Sequence, residues 1–373
     1  MKLAIIGASY GQKPLCEKAK EMGLNTICFS WPQGAVCKDV VDRFYPISII
    51  DKDTIVDVCK AEHVDGVVSN ASDLTAEVVS YVATCLGLHG NNYRSFQKLK
   101  DKSMVRELTD HIKDLRQVRT FSYFDSCGFH FPCVAKPKIG TGKKGVCYVC
   151  CEKELEKVVG IESHEIDSFI IEEYVSGKEI SIETISFEGK HYIIQITDKE
   201  NTGAPHFVEL AHHQPTSLCS EVINKIVRIV PRLLDAIDFS NGASHIEMKV
   251  NSNNELYLIE INPRGGGDEI SNKLVQLSTG YDYVKGMIDV ALGQFDIPVV
   301  QSNHYAGIYY LCKQTEYLLP IFKKNVKPAW LVELSCKTID ELHTAMDNYS
   351  RDGYFIYQSE HKVVFNKNTV SYV

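Results

Sequence analysis

The stretch SHIEMKVNSNNELYLIEINPRGGG, residues 244–267, decides how the chain is read. It holds two alternating runs separated by Asn251-Ser-Asn-Asn254, residue types whose short polar side chains bond nearby backbone and favour turns. A strand sends successive side chains to opposite faces. His245, Glu247 and Lys249 therefore share one face of the first run, and Ile246, Met248 and Val250 the other. On the returning run Glu260 and Asn262 share a face. Closing the turn around residues 252–255 places Glu247 close to opposite Glu260. Like charges across a ladder sit only about 5 Å apart and destabilise it. A divalent cation between them removes the conflict, because hard cations take oxygen ligands, magnesium in particular one or two carboxylates plus substrate phosphates. Asn262 adds a third oxygen. Arg264, at the same parity, can face phosphate oxygens with a planar fork of donors. Glu260 lies in the apolar run Leu256, Tyr257, Leu258, Ile259 and Ile261, which argues for a buried strand over a solvated one.

Outward from this hairpin, residues 1–92 alternate strand and helix. Lys2–Gly7, Asn25–Ser30 and Gly66–Ser69 are strand-like; Gln12–Met22, Ile55–Ala61 and Leu74–Leu86 are helical. That order predicts a doubly wound parallel sheet. The turn Gly7-Ala-Ser-Tyr-Gly11 lacks the G-x-G-x-x-G spacing, and the second strand ends in Ser30-Trp31-Pro32 with no acid for a ribose, so a nicotinamide site is not expected. A lysine-rich helical stretch follows from Tyr93, then strand-rich sequence from Gln117 to Gln195. Cys219–Ile237 is an amphipathic helix with Val222, Ile223, Ile226, Val227, Val230, Leu233, Leu234 and Ile237 as its core face. A mixed tail runs from 301 to 373; its Arg351-Asp-Gly-Tyr-Phe-Ile segment reads as a turn into a strand with no chemical role.

Composition excludes several classes. Of 373 residues 44% are apolar, enough for large cores, and the net charge of -8 argues against a nucleic-acid binder, which needs a basic face. No apolar stretch reaches membrane-spanning length and the N-terminus does not read as a signal peptide. The thirteen cysteines are expected as free thiols in a reducing, cytoplasmic setting. Cys147-x-x-Cys150 has metal-ligand spacing but no second pair, and a strand would point the two apart.

Glu260-Ile-Asn-Pro-Arg264, with Glu247 thirteen residues before Glu260, resembles the metal-binding signature of the ATP-grasp superfamily. The rest of the family pattern follows in order. Lys102 resembles the first phosphate lysine and Lys136, in Pro132-Cys-Val-Ala-Lys-Pro137, the second. Ile139-Gly-Thr-Gly-Lys-Lys-Gly145 resembles the phosphate-covering loop, through Gly140, Thr141, Gly142 and Gly145. Glu172-Glu-Tyr-Val175, that is Glu172, Glu173, Tyr174 and Val175, resembles the hinge that holds adenine by backbone groups, and Glu179 matches the ribose carboxylate. Within the superfamily the look is that of L-amino acid ligases and dipeptide synthetases. Gly242-Ala-Ser-His-Ile-Glu247 resembles their metal strand, Glu209-x-x-His212 a loop facing their amino-acid pocket, and Gly265, Gly266 and Gly267 the glycine turn where a substrate carboxylate approaches backbone amides.

The resemblance implies a mixed α/β ATP-grasp fold: an N-terminal pre-ATP-grasp domain (1–92), an ATP-grasp domain (93–300) with a mobile lid lobe at about 126–187, and a small C-terminal α+β subdomain (301–373). It implies ATP with two Mg2+ ions, or Mn2+ in their place, held by Glu247, Glu260 and Asn262. Arg264 would be catalytic and substrate-binding, with Glu209, His212 and the glycine turn around the substrates. The expected activity is ATP-dependent joining of a small-molecule carboxylate and an amine through an acyl phosphate, with a homodimer as one possible assembly. Carboxylase, carbamoyl-forming and purine-pathway enzymes would share the nucleotide and metal positions, and a nucleotide-binding scaffold without turnover would keep the fold. Substrate-pocket side chains are expected from loops at 197–215 and 265–275.

Overall fold

A computed structural model describes the chain except residues 71, 122–129, 139–144, 160–168, 324–326, 338–339, 366–369 and 373. Gly140, Thr141 and Gly142 of the covering loop therefore lie outside the described residues. Among the described residues no helix is long and apolar enough to cross a membrane.

The N-terminal strands Arg43–Tyr45, Asn25–Phe29, Lys2–Ile6 and Gly66–Val68 form a parallel sheet in that spatial order. Both faces are buried: Leu3, Ile5 and Cys28 pack into one core, and Ala4, Ile6, Ile27 and Phe29 into another. Such strands read as continuous apolar runs, as Leu3–Ile6 does. The helices Lys13–Glu21, Lys52–Ala61 and Asp73–Leu86 cover them. Chain order reverses between Lys2–Ile6 and Gly66–Val68, and open α/β sheets offer a crevice at that kind of position.

A nine-stranded sheet forms the body, in the spatial order Leu331–Cys336, Gly353–Ser359, Tyr305–Leu311, Glu209–Gln214, Lys190–Asn201, Lys178–Phe187, Gly242–Val250, Leu256–Asn262 and Leu115–Gln117. Residues beyond 301 thus extend the central sheet. One face of its middle strands is apolar: Ile180, Ile182, Ile196, Ile246, Met248 and Leu258 pack against Val222, Ile226, Ile229, Val230, Leu233 and Leu234 of the helix Ser220–Ala236. Each such side chain contributes about 1.5–3 kcal/mol when fully buried. The opposite face carries Glu179, Ser181, Glu183, Lys199, His245 and Glu247. One expectation for the helix fails: Val227 is 49% exposed while Ile229 is buried, because the contact stripe is narrower than the apolar residues available to fill it.

A smaller antiparallel sheet, Thr120–Phe121, Phe169–Glu173, Cys133–Pro137 and Cys147–Val149, stands over the body, with the helix Glu152–Val159 on its back. Cys147 lies on a strand and Cys150 is exposed beyond it; both are free thiols, like the other described cysteines.

Candidate active site

The hairpin has the register expected of it. Glu247 pairs with Glu260 and His245 with Asn262 across the ladder. The turn is held by Asn251, whose side chain accepts from the Asn253 and Glu255 amides, and by left-handed Asn254. A bulge follows Glu247, so the extra residue Ile259 re-aims the strand next to Glu260. From the neighbouring strand Lys199 reaches in: its Nζ lies 2.7 Å from Glu247, 3.3 Å from Glu209 and 3.5 Å from Glu179. Burial alone would push this ammonium down, but the three carboxylates outweigh it and hold the pKa well above the ordinary value. Lys102, at the start of the helix Lys102–Thr109, stands 3.5 Å from Glu260.

Between the small sheet and the body runs a cleft lined by Lys102, Val118, Val134, Lys136, Val146, Glu172, Glu173, Tyr174, Val175, Glu179, Phe207, Lys249, Glu247 and Glu260. Its valines and aromatic rings make an apolar slot with charged ends. Lys136 is buried with its Nζ 2.6 Å from Glu172, and Arg106 pairs with the other oxygen of Glu172 at 3.0 Å. Burial pushes Lys136 down and Glu172 pulls it back; burial would raise Glu172, but Lys136 and Arg106 hold it below its ordinary range. Glu173 points to the rim, where Arg119 pairs with it at 2.7 Å. Lys249 donates to the Val175 carbonyl at 3.1 Å and stands over the Tyr174 ring. Glu179 accepts from Asn201 at 3.0 Å. Gly145 has φ +73°, a left-handed conformation suited to glycine.

Continuous with the carboxylates is a second cavity of about 600 Å³, whose lining includes Lys199, Glu209, His212, His245, Glu247, Glu260, Asn262, Arg264, Gly267 and Asp268. Glu209 and His212 sit on a strand, not on the loop expected. Three residues apart, they would normally face opposite ways. A bulge resolves this: Asn201 pairs with Glu209 but Glu200 with Ala211, so both side chains reach the face of Lys199. His213 turns the other way and bonds the Tyr357 hydroxyl at 2.9 Å. The far wall comes from the tail. Arg351 grips Asp268 with two bonds, 2.8 and 3.2 Å, and its guanidinium stacks 3.5 Å from the centre of the Tyr310 ring. His212 approaches Asp268 at 3.4 Å. Burial opposes ionisation of Asp268, yet His212 and Arg351 hold its carboxyl well below the usual range.

The glycine turn departs from its expected use. Arg264 lies past the end of the strand, so parity no longer governs it; its Nε donates to Asp73 at 3.0 Å while the residue still lines the cavity. The Gly266 amide donates to Glu183 at 3.2 Å, and the residue is not part of the cavity lining. A side chain at Gly265 would meet Asn70 Oδ1 at 2.5 Å, and one at Gly266 would meet His245 Nδ1 at 2.8 Å. These two glycines answer close packing; of the three, Gly267 lines the cavity. Asp268 and Glu269 then take left-handed backbone, φ +51° and +61°, unusual for residues with side chains and concentrated at the cavity wall.

Residues 129–273 match the ATP-grasp domain. The chain contains an ATP-grasp domain over these residues. The alanine–anticapsin ligase of Bacillus amyloliquefaciens is 26% identical over 267 residues, covering 63% of this chain and 56% of that protein; the chain thus spans about half the length of that curated relative. An L-amino acid ligase from Bacillus licheniformis superposes with a TM-score of 0.79 at 21% identity, over 96% of this chain and 93% of that one. The biotin carboxylase domain of a Hydrogenobacter thermophilus 2-oxoglutarate carboxylase, solved with MgADP, superposes at 0.72 with 16% identity, over 96% and 86%. Both superpositions show the ATP-grasp fold.

Of the described members of the expected site, all but Gly145, Gly265 and Gly266 line two adjoining cavities, with Glu247 and Glu260 common to both. Lys199, Glu183, His245 and Arg351 were not among the expected site residues. Lys199 and Glu183 sit mid-strand without a motif; the hint is that each is a charged residue on the face shared with a recognised acid. Arg351 carried no local sign at all.

Proposed function

We propose that this ATP-grasp protein is an ATP-dependent carboxylate–amine ligase that forms an amide, of amino-acid or dipeptide type, through an acyl phosphate. The observation carrying the reading is Glu247 opposite Glu260 in register, beside a cavity, with their neighbouring Lys199 shared among three carboxylates. Carboxylate oxygens so converged suit hard cations. Glu247, Glu260 and Asn262 would hold Mg2+, which supplies charge neutralisation on the β- and γ-phosphates. Lys102 and Lys136 would meet phosphate oxygens, Glu179 the ribose hydroxyls, and the Glu172 carbonyl and Val175 amide the adenine edge. Residues 139–145 would cover the phosphates.

A carboxylate is a poor electrophile at neutral pH. Forming a bond from its oxygen to the γ-phosphorus, with cleavage of the bond to ADP, converts that oxygen into a leaving group. The amine then attacks the carbonyl carbon, loses a proton, and inorganic phosphate departs. Arg264 would face the tetrahedral oxyanion and the departing phosphate. Glu209 and His212 would face the amino-acid part of the substrates, and closure of the small sheet over the carboxylates would exclude water from the acyl phosphate. The identity to alanine–anticapsin ligase supports the amino-acid reading.

The test is phosphate release from ATP over pairs of amino acids and other carboxylates, with mass spectrometry of the product. Release that depends on two amino acids, with a product lighter than their sum by one water, supports the reading. Release dependent on bicarbonate, or ADP binding without turnover over the whole screen, overturns it.

A further inference from the structure

Glu183 is wholly buried at the centre of the strand Lys178–Phe187, a position where a carboxylate without partners is strongly disfavoured. Its partners come from three places. Ser181 Oγ lies 3.2 Å from Oε1 on its own strand. His245 Nδ1 lies 2.6 Å from the same oxygen, and the Gly266 amide donates to Oε2 at 3.2 Å. On its other side the His245 ring puts Nε2 3.1 Å from Glu247 Oε1. A continuous path therefore joins the turn after Arg264 to a carboxylate of the hairpin: Gly266 amide, Glu183, His245, Glu247.

The path is also tight. A Cβ on Gly266 would sit 2.8 Å from His245 Nδ1 and 3.0 Å from Glu183 Oε2, so the turn cannot shift toward the sheet without displacing the ring. The Ser271 hydroxyl holds the other side of the turn by donating to the Gly266 carbonyl at 2.7 Å. The bulge at this point belongs to the neighbouring strand, with Ile194 as its extra residue, so the strand of Glu183 keeps its regular alternation and the carboxylate its inward face.

We propose that Glu183 is a positioning residue that, through His245, registers the glycine turn 264–267 against the carboxylate Glu247. It touches neither substrate nor cation. It sets the orientation of Glu247 and the height of the turn as one unit, so that phosphoryl transfer and the acyl-accepting end of the cavity keep a common geometry. This rests on the reading of Glu247 as a ligand for a divalent cation in the proposed function.

The experiment titrates Mn2+ into the full chain with ADP present, followed by electron paramagnetic resonance and calorimetry, for the wild type, Glu183→Gln, Gly266→Ala and the double variant. Glu183→Gln keeps the side-chain shape and removes the charge; Gly266→Ala presses on the same path from its other end without altering an ionisable group. Each single change is expected to weaken Mn2+ binding by about 10–100-fold, the scale for groups that orient metal ligands, in folded protein that still binds ADP. The double variant is expected to be no weaker than the worse single, as for residues acting as a unit. Cation affinity unchanged in Gly266→Ala, or losses that simply add in the double variant, would overturn the path. If Glu183→Gln does not fold, Gly266→Ala alone decides by the same criterion. A wild type that binds ADP without Mn2+ sinks the proposed metal site and this inference with it, whereas a wild type that binds Mn2+ beside an unaffected Glu183→Gln sinks only the inference.

Discussion

At the hairpin end of the large cavity, acids from four strands converge: Glu179, Glu209 and Glu247 meet at Lys199, and Glu260 stands 3.5 Å from Lys102. At the far end the charges match, with Asp268 gripped twice by Arg351 and that guanidinium stacked on Tyr310. The two ends are built from the same residue types under opposite rules. An end where several carboxylates converge suits the binding of a cation; a self-neutralised end is complete in itself, which suits a wall. The left-handed backbone at Asp268 and Glu269 fits that picture, since the strain there is held by the Arg351 grip.

The sharpest way to break the comparison is at the hairpin. Glu260→Gln is expected to reduce ADP formation on the order of a thousandfold, the scale of losing one preorganised electrostatic contact at a phosphoryl-transfer site, while the unfolding temperature holds or rises. Near-normal turnover would mean that the opposed acids are not a cation site. At the far end, Arg351→Met should instead cost stability, about 2 kcal/mol in denaturant unfolding, because it strands a partly buried carboxylate. Asp268→Asn together with Arg351→Met should recover most of that loss. If Arg351→Met proves as stable as the wild type, the far end is not self-neutralised and Asp268 has another partner in solution.

Smaller effects sharpen the edges. Lys249→Met removes the donor to the Val175 carbonyl and the cation over Tyr174; ADP affinity measured by calorimetry should fall by about 1 kcal/mol, roughly fivefold. A further change lies outside both ends. Burial would raise Glu77, but Lys100, Lys52 and Gln97 bring its carboxyl from the ordinary 4.5 down to about 2. Because the folded value is the lower one, its contribution is present above pH 4.5 and is lost as pH falls toward 2. Unfolding curves of Glu77→Gln should converge with those of the wild type across that window; parallel curves would remove Glu77 from the acid response.

The hairpin was legible because it is local. Thirteen residues separate Glu247 from Glu260, the asparagine turn between them admits few registers, and strand parity then assigns faces. The N-terminal sheet was legible for a similar reason, with each strand–helix unit announcing itself in continuous apolar runs. Parity failed where bulges intervene. Glu209 and His212 share a face through an extra residue that no spacing rule foresees, and the stretch 197–215 taken for loop is largely two paired strands. The glycine turn misled differently. Gly265 and Gly266 are small because Asn70, His245 and Glu183 press on them, and those neighbours lie 195, 21 and 83 residues away from the glycine each meets.

By itself the sequence determined the parallel N-terminal sheet and the opposed carboxylates, since each depends on residues close along the chain and, for the carboxylates, on the two-residue period of a strand. Tertiary structure alone decided that Lys199 serves three acids, that the Gly266 amide faces inward to Glu183, and that Arg351 from the tail closes the cavity against Asp268. Those depend on strands that meet only when the sheet assembles, and on a side chain from position 351 crossing to position 268, a pairing that sequence distance leaves unspecified.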